Sequence, residues 1–94
     1  MPTAKLHSLQ SLNVLGKIAY VNRELRDHDG VINVYKKIIE VLWSLIPSQY
    51  RDSLVVSSLL EIGQANFAKG DLVSAAIYLL RQLLYLNMSQ RALS

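Results

Sequence analysis

The chain contains no cysteine. That excludes disulfides, thiolate metal sites and cysteine nucleophiles, and nothing in the sequence demands an oxidising compartment. Glycine and proline are scarce, four and two among 94 residues, and the β-branched runs are short and interrupted. An all-helical chain fits this composition better than a sheet or a disordered segment does. Charge is low as well: 18% of residues are charged and the net charge is +3. Lys36-Lys37 is the only adjacent basic pair, and the tyrosines do not interleave with basic residues. Tracking a phosphate backbone wants a basic stripe, so nucleic acid is not the expected partner.

Long apolar runs are missing too. Between Leu72 and Leu86 only Ser74, Arg81 and Gln82 are polar, but fifteen helical residues reach about 22 Å, short of a bilayer core of about 30 Å. Leu6 to Val21 is broken by His7, Ser8, Gln10, Ser11, Asn13 and Lys17, an amphipathic pattern unlike a secretory leader. The expectation is a cytoplasmic protein that does not enter a membrane.

What is present is apolar periodicity. Hydrophobic residues make up 51% of the chain, enough for the core of one domain. Leu6, Leu9, Leu12, Leu15, Ile18 and Ala19 recur at three- and four-residue steps and predict a first helix of about six turns. It opens after Pro2-Thr3 and is expected to break at Asp29-Gly30. A second helix, from about Val31 to Ile46, is apolar on two faces: Val31, Val34, Tyr35, Ile38, Val41, Leu42 and Leu45, then Ile32, Ile39, Trp43 and Ile46. Pro47 stops it, because proline lacks an N–H and excludes the helical conformation before it. Ser48 or Asp52 would cap a third helix reaching Lys69. Gly70-Asp71 turns the chain, with Asp71 as N-cap of a fourth helix. That helix is expected to fade after Asn87 into a polar tail, 88–94. The prediction is all-α: two antiparallel helix hairpins, 4–46 and 49–87, in one domain.

The stretch from Leu59 to Asn87 resembles one tetratricopeptide repeat, through Leu59, Ile62-Gly63, Phe67, Gly70-Asp71-Leu72, Ala75 and Leu79. It departs at Gln82, where that family prefers alanine. Leu12, Leu15-Gly16 and Ala19-Tyr20 mirror Leu59, Ile62-Gly63 and Asn66-Phe67. Gly16 to Gly63 spans 47 residues, against a family repeat of about 34. The resemblance implies hairpins stacked as a tetratricopeptide-like array, with a groove lined by the first helix of each pair. The partner-binding positions carried over are Leu60, Gln64, Phe67 and Ala68, with Ser57, in the better unit. In the weaker unit they are Asn13, Lys17, Tyr20 and Val21. Glu61 stands where clamp-type members hold a basic residue, so an apolar or amphipathic helix suits the groove better than an acidic peptide.

Repeat arrays generally need at least three units and polar ends. The apolar last helix is therefore expected to be covered by a second chain, a copy of itself or a different protein. In length and apolar groove the chain is similar to the needle-subunit co-chaperones of bacterial type III secretion, which hold an aggregation-prone helical subunit soluble in the cytoplasm. A structural or adaptor subunit of a larger assembly is the competing class, and a homodimeric regulator a third.

No catalytic constellation emerges. A calcium loop starting at Asp27 would need glycine sixth and an acid twelfth, and finds Ile32 and Ile38. Asp27-His28-Asp29 thus reads as a solvated turn. There is no nucleophile arrangement and no glycine-rich phosphate loop, so the expectation is a non-enzymatic protein without cofactor or metal. Tyr78 and Tyr85 lie two turns apart beside Arg81 and Gln82. Those two tyrosines suit either a core or an interface strip.

Overall fold

The computed structural model describes residues 3–45 and 48–93, with side chains described at 9–44 and 51–88. Four helices follow one another: α1 (Thr3–Glu24), α2 (His28–Leu45), α3 (Ser48–Ala68) and α4 (Leu72–Leu93). No strand occurs among the described residues. Each helix packs on the next, α1 on α2, α2 on α3, α3 on α4, and the array measures 42 × 34 × 15 Å. It is a flat all-α helical array.

The two apolar faces of α2 explain its central place. Val31, Ile32, Ile38 and Leu42 are buried. Ile38 and Leu42 share one cluster with Leu12 and Leu15 of α1 and with Val55 and Leu59 of α3. Val31 and Ile32 share another with Ile62 and Ala65. A helix apolar on two sides must be covered on two sides. Two buried polar side chains bond within their own helix: Ser58 Oγ donates to the Leu54 carbonyl at 2.8 Å, and Asn66 Nδ2 to the Ile62 carbonyl at 3.0 Å.

The first turn lies three residues before the expected break. Asp29 and Gly30 belong to the first turn of α2, and the chain reverses through Leu25, Arg26 and Asp27. Arg26 takes the left-handed conformation, φ 56°, that Gly70 takes in the second turn, φ 85°. Around each, the same bonds recur. Asp27 N–H reaches Asn22 O at 2.9 Å and Arg26 N–H reaches Arg23 O at 3.0 Å; Asp71 N–H reaches Asn66 O at 2.9 Å and Gly70 N–H reaches Phe67 O at 3.0 Å. This pair closes the last carbonyls of a helix as a Schellman motif. The next residue then caps the following helix: Asp27 Oδ1 accepts from Gly30 N–H at 2.9 Å, and Asp71 Oδ1 from Ser74 N–H at 3.1 Å.

These matches fix the repeat at 44 residues, Asp27 onto Asp71, in place of the 47 read from Gly16 and Gly63. In this register Ala19 corresponds to Gly63, and Val31 to Ala75. All four are buried. Small residues at Ala19 and Gly63 let the partner helix approach closely; a Cβ on Gly63 would stand 3.0 Å from Leu79 Cδ2. Gly16 has open space around it.

Two further expectations shift, and one falls outside the described residues. Pro47 lies outside the described residues, although α2 ends at Leu45 and α3 starts at Ser48. Asp52 is inside α3 and does not cap it; its carboxylate accepts from Tyr85 Oη at 2.7 Å. The tail expected at 88–94 is helical to Leu93, since nothing between Met88 and Leu93 is a glycine or proline that would end the helix.

Candidate functional site

The sequence-derived positions fall in three places. Asn13, Lys17, Tyr20 and Val21 are exposed on α1. On α3, Gln64, Phe67 and Ala68 are exposed and Leu60 is half-buried. Gln64 and Ala68 do share a cleft, with Arg23, His28, Val31, Glu61 and Ala65, but it encloses only about 170 Å³. A helix is about 10 Å across or more, so at most one of its side chains would enter this cleft. Tyr20 does not border that cleft. The Arg23 guanidinium spans its mouth, bonded to Glu61 and at 3.2 Å to Tyr35 Oη.

Tyr78 and Tyr85 turn inward. Tyr78 packs on both core clusters. Two cations lie over its ring, with Arg81 at 4.9 Å and Lys36 at 5.8 Å from the centroid. Tyr85 meets Trp43 edge to face at 6.0 Å, and the Arg51 guanidinium stacks on Trp43 at 4.0 Å. Burial and the bond to Asp52 push the Tyr85 hydroxyl above its usual pKa. Both rings fasten α4 to α2 and α3, and they are not free interface area. Gln82 joins them, donating to the Val56 carbonyl at 3.3 Å.

The acidic turn is accounted for by structure. Asp27 caps α2, and Asp29 pairs with Lys69, whose ammonium is held above its ordinary value chiefly by that hydrogen bond. Among the described residues no three His, Cys, Asp or Glu side chains gather as a metal site would require.

What the chain leaves open are its two outer faces. On α4, Leu72, Val73, Ile77, Leu79, Leu80, Leu83, Leu84, Leu86 and Met88 are exposed. On α1, Val14, Ile18, Val21 and Leu25 are exposed along one helical stripe. A groove of about 640 Å³ lies between α1 and α2 and is lined by Gln10, Ser11, Val14, Leu15, Lys37 and Val41. Monomeric soluble proteins rarely expose apolar patches of more than a few hundred Å². No described helix is long and apolar enough to cross a membrane. The α4 face was foreshadowed by its composition. The α1 stripe was legible in part: Ile18 lies on the apolar periodicity and Val21 among the groove positions, and Val14 joins them once the helix is built.

Comparison with protein-family models, with curated proteins and with solved structures found no match.

Proposed function

We propose that this chain is a non-enzymatic protein-binding module of tetratricopeptide-like construction, which receives an apolar helix on the outer face of α4. The observation that carries the reading is the exposed row Val73, Ile77, Leu80 and Leu84, at the i, i+4, i+7, i+11 spacing of a helix-docking stripe. Small residues at the crossing points, Ala19 and Gly63 against Val31 and Ala75, support the repeat resemblance. A chaperone of an aggregation-prone helical client, as in needle-subunit secretion, is one use of such a surface. Apolar faces on both α1 and α4 favour a second use, as a structural or adaptor subunit joined on two sides.

Leu80→Glu tests the reading. Leu80 is exposed, so helicity and melting should stay near wild type while partner binding is lost. A photo-crosslinking residue at Ile77 should capture the bound helix. Unchanged binding by folded Leu80→Glu would sink the assignment. For the chaperone use, the co-expressed client should stay soluble only with the intact α4 face.

A further inference from the structure

Adding 44 to a residue number carries α1 onto α3 and α2 onto α4, turn bonds included. The junction between the two hairpins is α2 against α3. From α3 it is built by Val55, Leu59, Ile62 and Ala65, with Ser58 beside them. The equivalents on α1 are Ser11, Leu15, Ile18 and Val21, with Val14. Val14, Ile18 and Val21 are apolar and exposed, Leu15 is half-buried, and Ser11 is the one polar member. From α2 the junction is built around Ile32, Tyr35, Ile39 and Leu42. Their equivalents on α4 are Ala76, Leu79, Leu83 and Leu86, again apolar and exposed. Each end of the array thus carries one half of an interface that the chain already contains whole.

The rim of the junction changes in matched pairs. Inside, Lys69 of α3 pairs with Asp29 of α2. Their equivalents at the two ends are Leu25 and Val73, which are 71% and 73% exposed. An ion pair is replaced by two apolar side chains, so both members have changed together. Similarly, the Arg23–Glu61 pair corresponds to Phe67 and Lys17, an aromatic face and a cation. Unrelated surfaces would have no reason to change as complementary pairs.

We propose that copies of this chain stack head to tail, with α1 of one copy seated on α4 of the next in the register by which α3 sits on α2. The proposal rests on α4 receiving a helix, names the occupant as a second copy, and places it on Ala76, Leu79, Leu83 and Leu86, beside the Val73, Ile77, Leu80 and Leu84 row. Ile77, Leu80 and Leu84 correspond to the exposed Asn33, Lys36 and Glu40 and stay outside the stacking contact. The contact is heterologous: every added copy leaves one α1 face and one α4 face open, so the array extends instead of closing as a twofold dimer. Each copy adds two hairpins to a continuous solenoid, and the apolar ends are covered in turn.

The test uses Val21→Glu, which blocks the α1 face, and Leu83→Glu, which blocks the α4 face. Light scattering after gel filtration, over a concentration series, reads the mass, and circular dichroism checks the fold. Wild type should grow past a dimer as concentration rises. Each variant alone should be monomeric, its self-affinity lower by roughly 100-fold or more because a charge is buried without a partner. Mixed in equal amounts, the two variants should form a one-to-one dimer and nothing larger, through the one intact face of each. Should either variant lose its fold, Leu25→Lys and Val73→Asp replace them at the two most exposed positions. Each alone should weaken assembly, and the double variant, which rebuilds the Lys69–Asp29 pair between copies, should restore it.

Three results would overturn the proposal: wild type monomeric throughout, both blocked variants assembling as wild type does, or Val21→Glu dimerising alone while Leu83→Glu cannot. The last would mark a symmetric α4–α4 contact. A wild-type monomer that still binds a foreign helix through Leu80 would end the stacking proposal and leave the helix-receiving role of α4 standing.

Discussion

Arg26 and Gly70 occupy the same place in the two hairpin turns, each with positive φ and each followed by a capping aspartate. Only glycine takes that conformation without its Cβ crowding the backbone; other L-residues pay roughly 1 kcal/mol there. Arg26→Gly should therefore stabilise the chain by up to about 1 kcal/mol, and Gly70→Ala should destabilise it by a similar amount. For a domain of this size, that is a shift of about 4–8 °C in the thermal midpoint. Melting curves moving the same way for both variants would contradict the shared turn geometry.

How far the fold was legible follows from those two residues. Gly70-Asp71 announces its turn because glycine marks the left-handed position. The first turn carries an arginine there, and its cap hides in Asp27-His28-Asp29, so the break was placed at the next glycine, three residues late. Gly16 misled the repeat register for the related reason that helix crossing requires a small residue, and alanine at position 19 satisfies it as well as glycine. The apolar excess of α4 was plain in the sequence. Which way Tyr78 and Tyr85 point was not, since a helix apolar almost all round has no preferred face until its neighbours choose one.

The glycines give a second check, because propensity and space disagree at one of them. At Gly16 a Cβ meets nothing within 4 Å, so Gly16→Ala should stabilise by about 1 kcal/mol on helix propensity alone. Gly30 is also helical, yet a Cβ there would overlap the Asp27 carboxylate and stand 2.9 Å from Asn22 Nδ2. Gly30→Ala should destabilise by about 1 kcal/mol or more, with loss of the cap outweighing propensity. Denaturant midpoints of the two variants moving in the same direction would refute the placement of the first turn.

Acid should act through Asp71. Hydrogen bonds from the Ser74 side chain and backbone hold its carboxyl below the ordinary 3.8, against some desolvation and with help from Lys69. A depressed folded-state value means the contribution is complete above 3.8 and is lost as pH falls through the lower folded value. Asn caps a helix about as well but does not titrate. Asp71→Asn should thus match wild type near neutrality and lose less stability on acidification. Parallel stability-against-pH curves for the two proteins would rule this out.

Ile62 and Phe67 separate core from surface on α3. Ile62 is 0% exposed and Phe67 66% exposed, five residues apart on one helix. Removing the Ile62 side chain beyond Cβ leaves a cavity among Val31, Ile32 and Ala65, at a cost of about 2–5 kcal/mol. Truncating Phe67 removes exposed surface, where substitutions usually stay within about 0.5 kcal/mol. Chemical denaturation of Ile62→Ala and Phe67→Ala should therefore give a large and a negligible loss at low protein concentration. If copies stack head to tail, the Phe67 variant should acquire its cost only as concentration rises, because its ring then faces Lys17 of the next copy. A large loss for Phe67→Ala in dilute monomer would mean that the aromatic is packed within its own chain, and that the rotation of α3 described above is wrong.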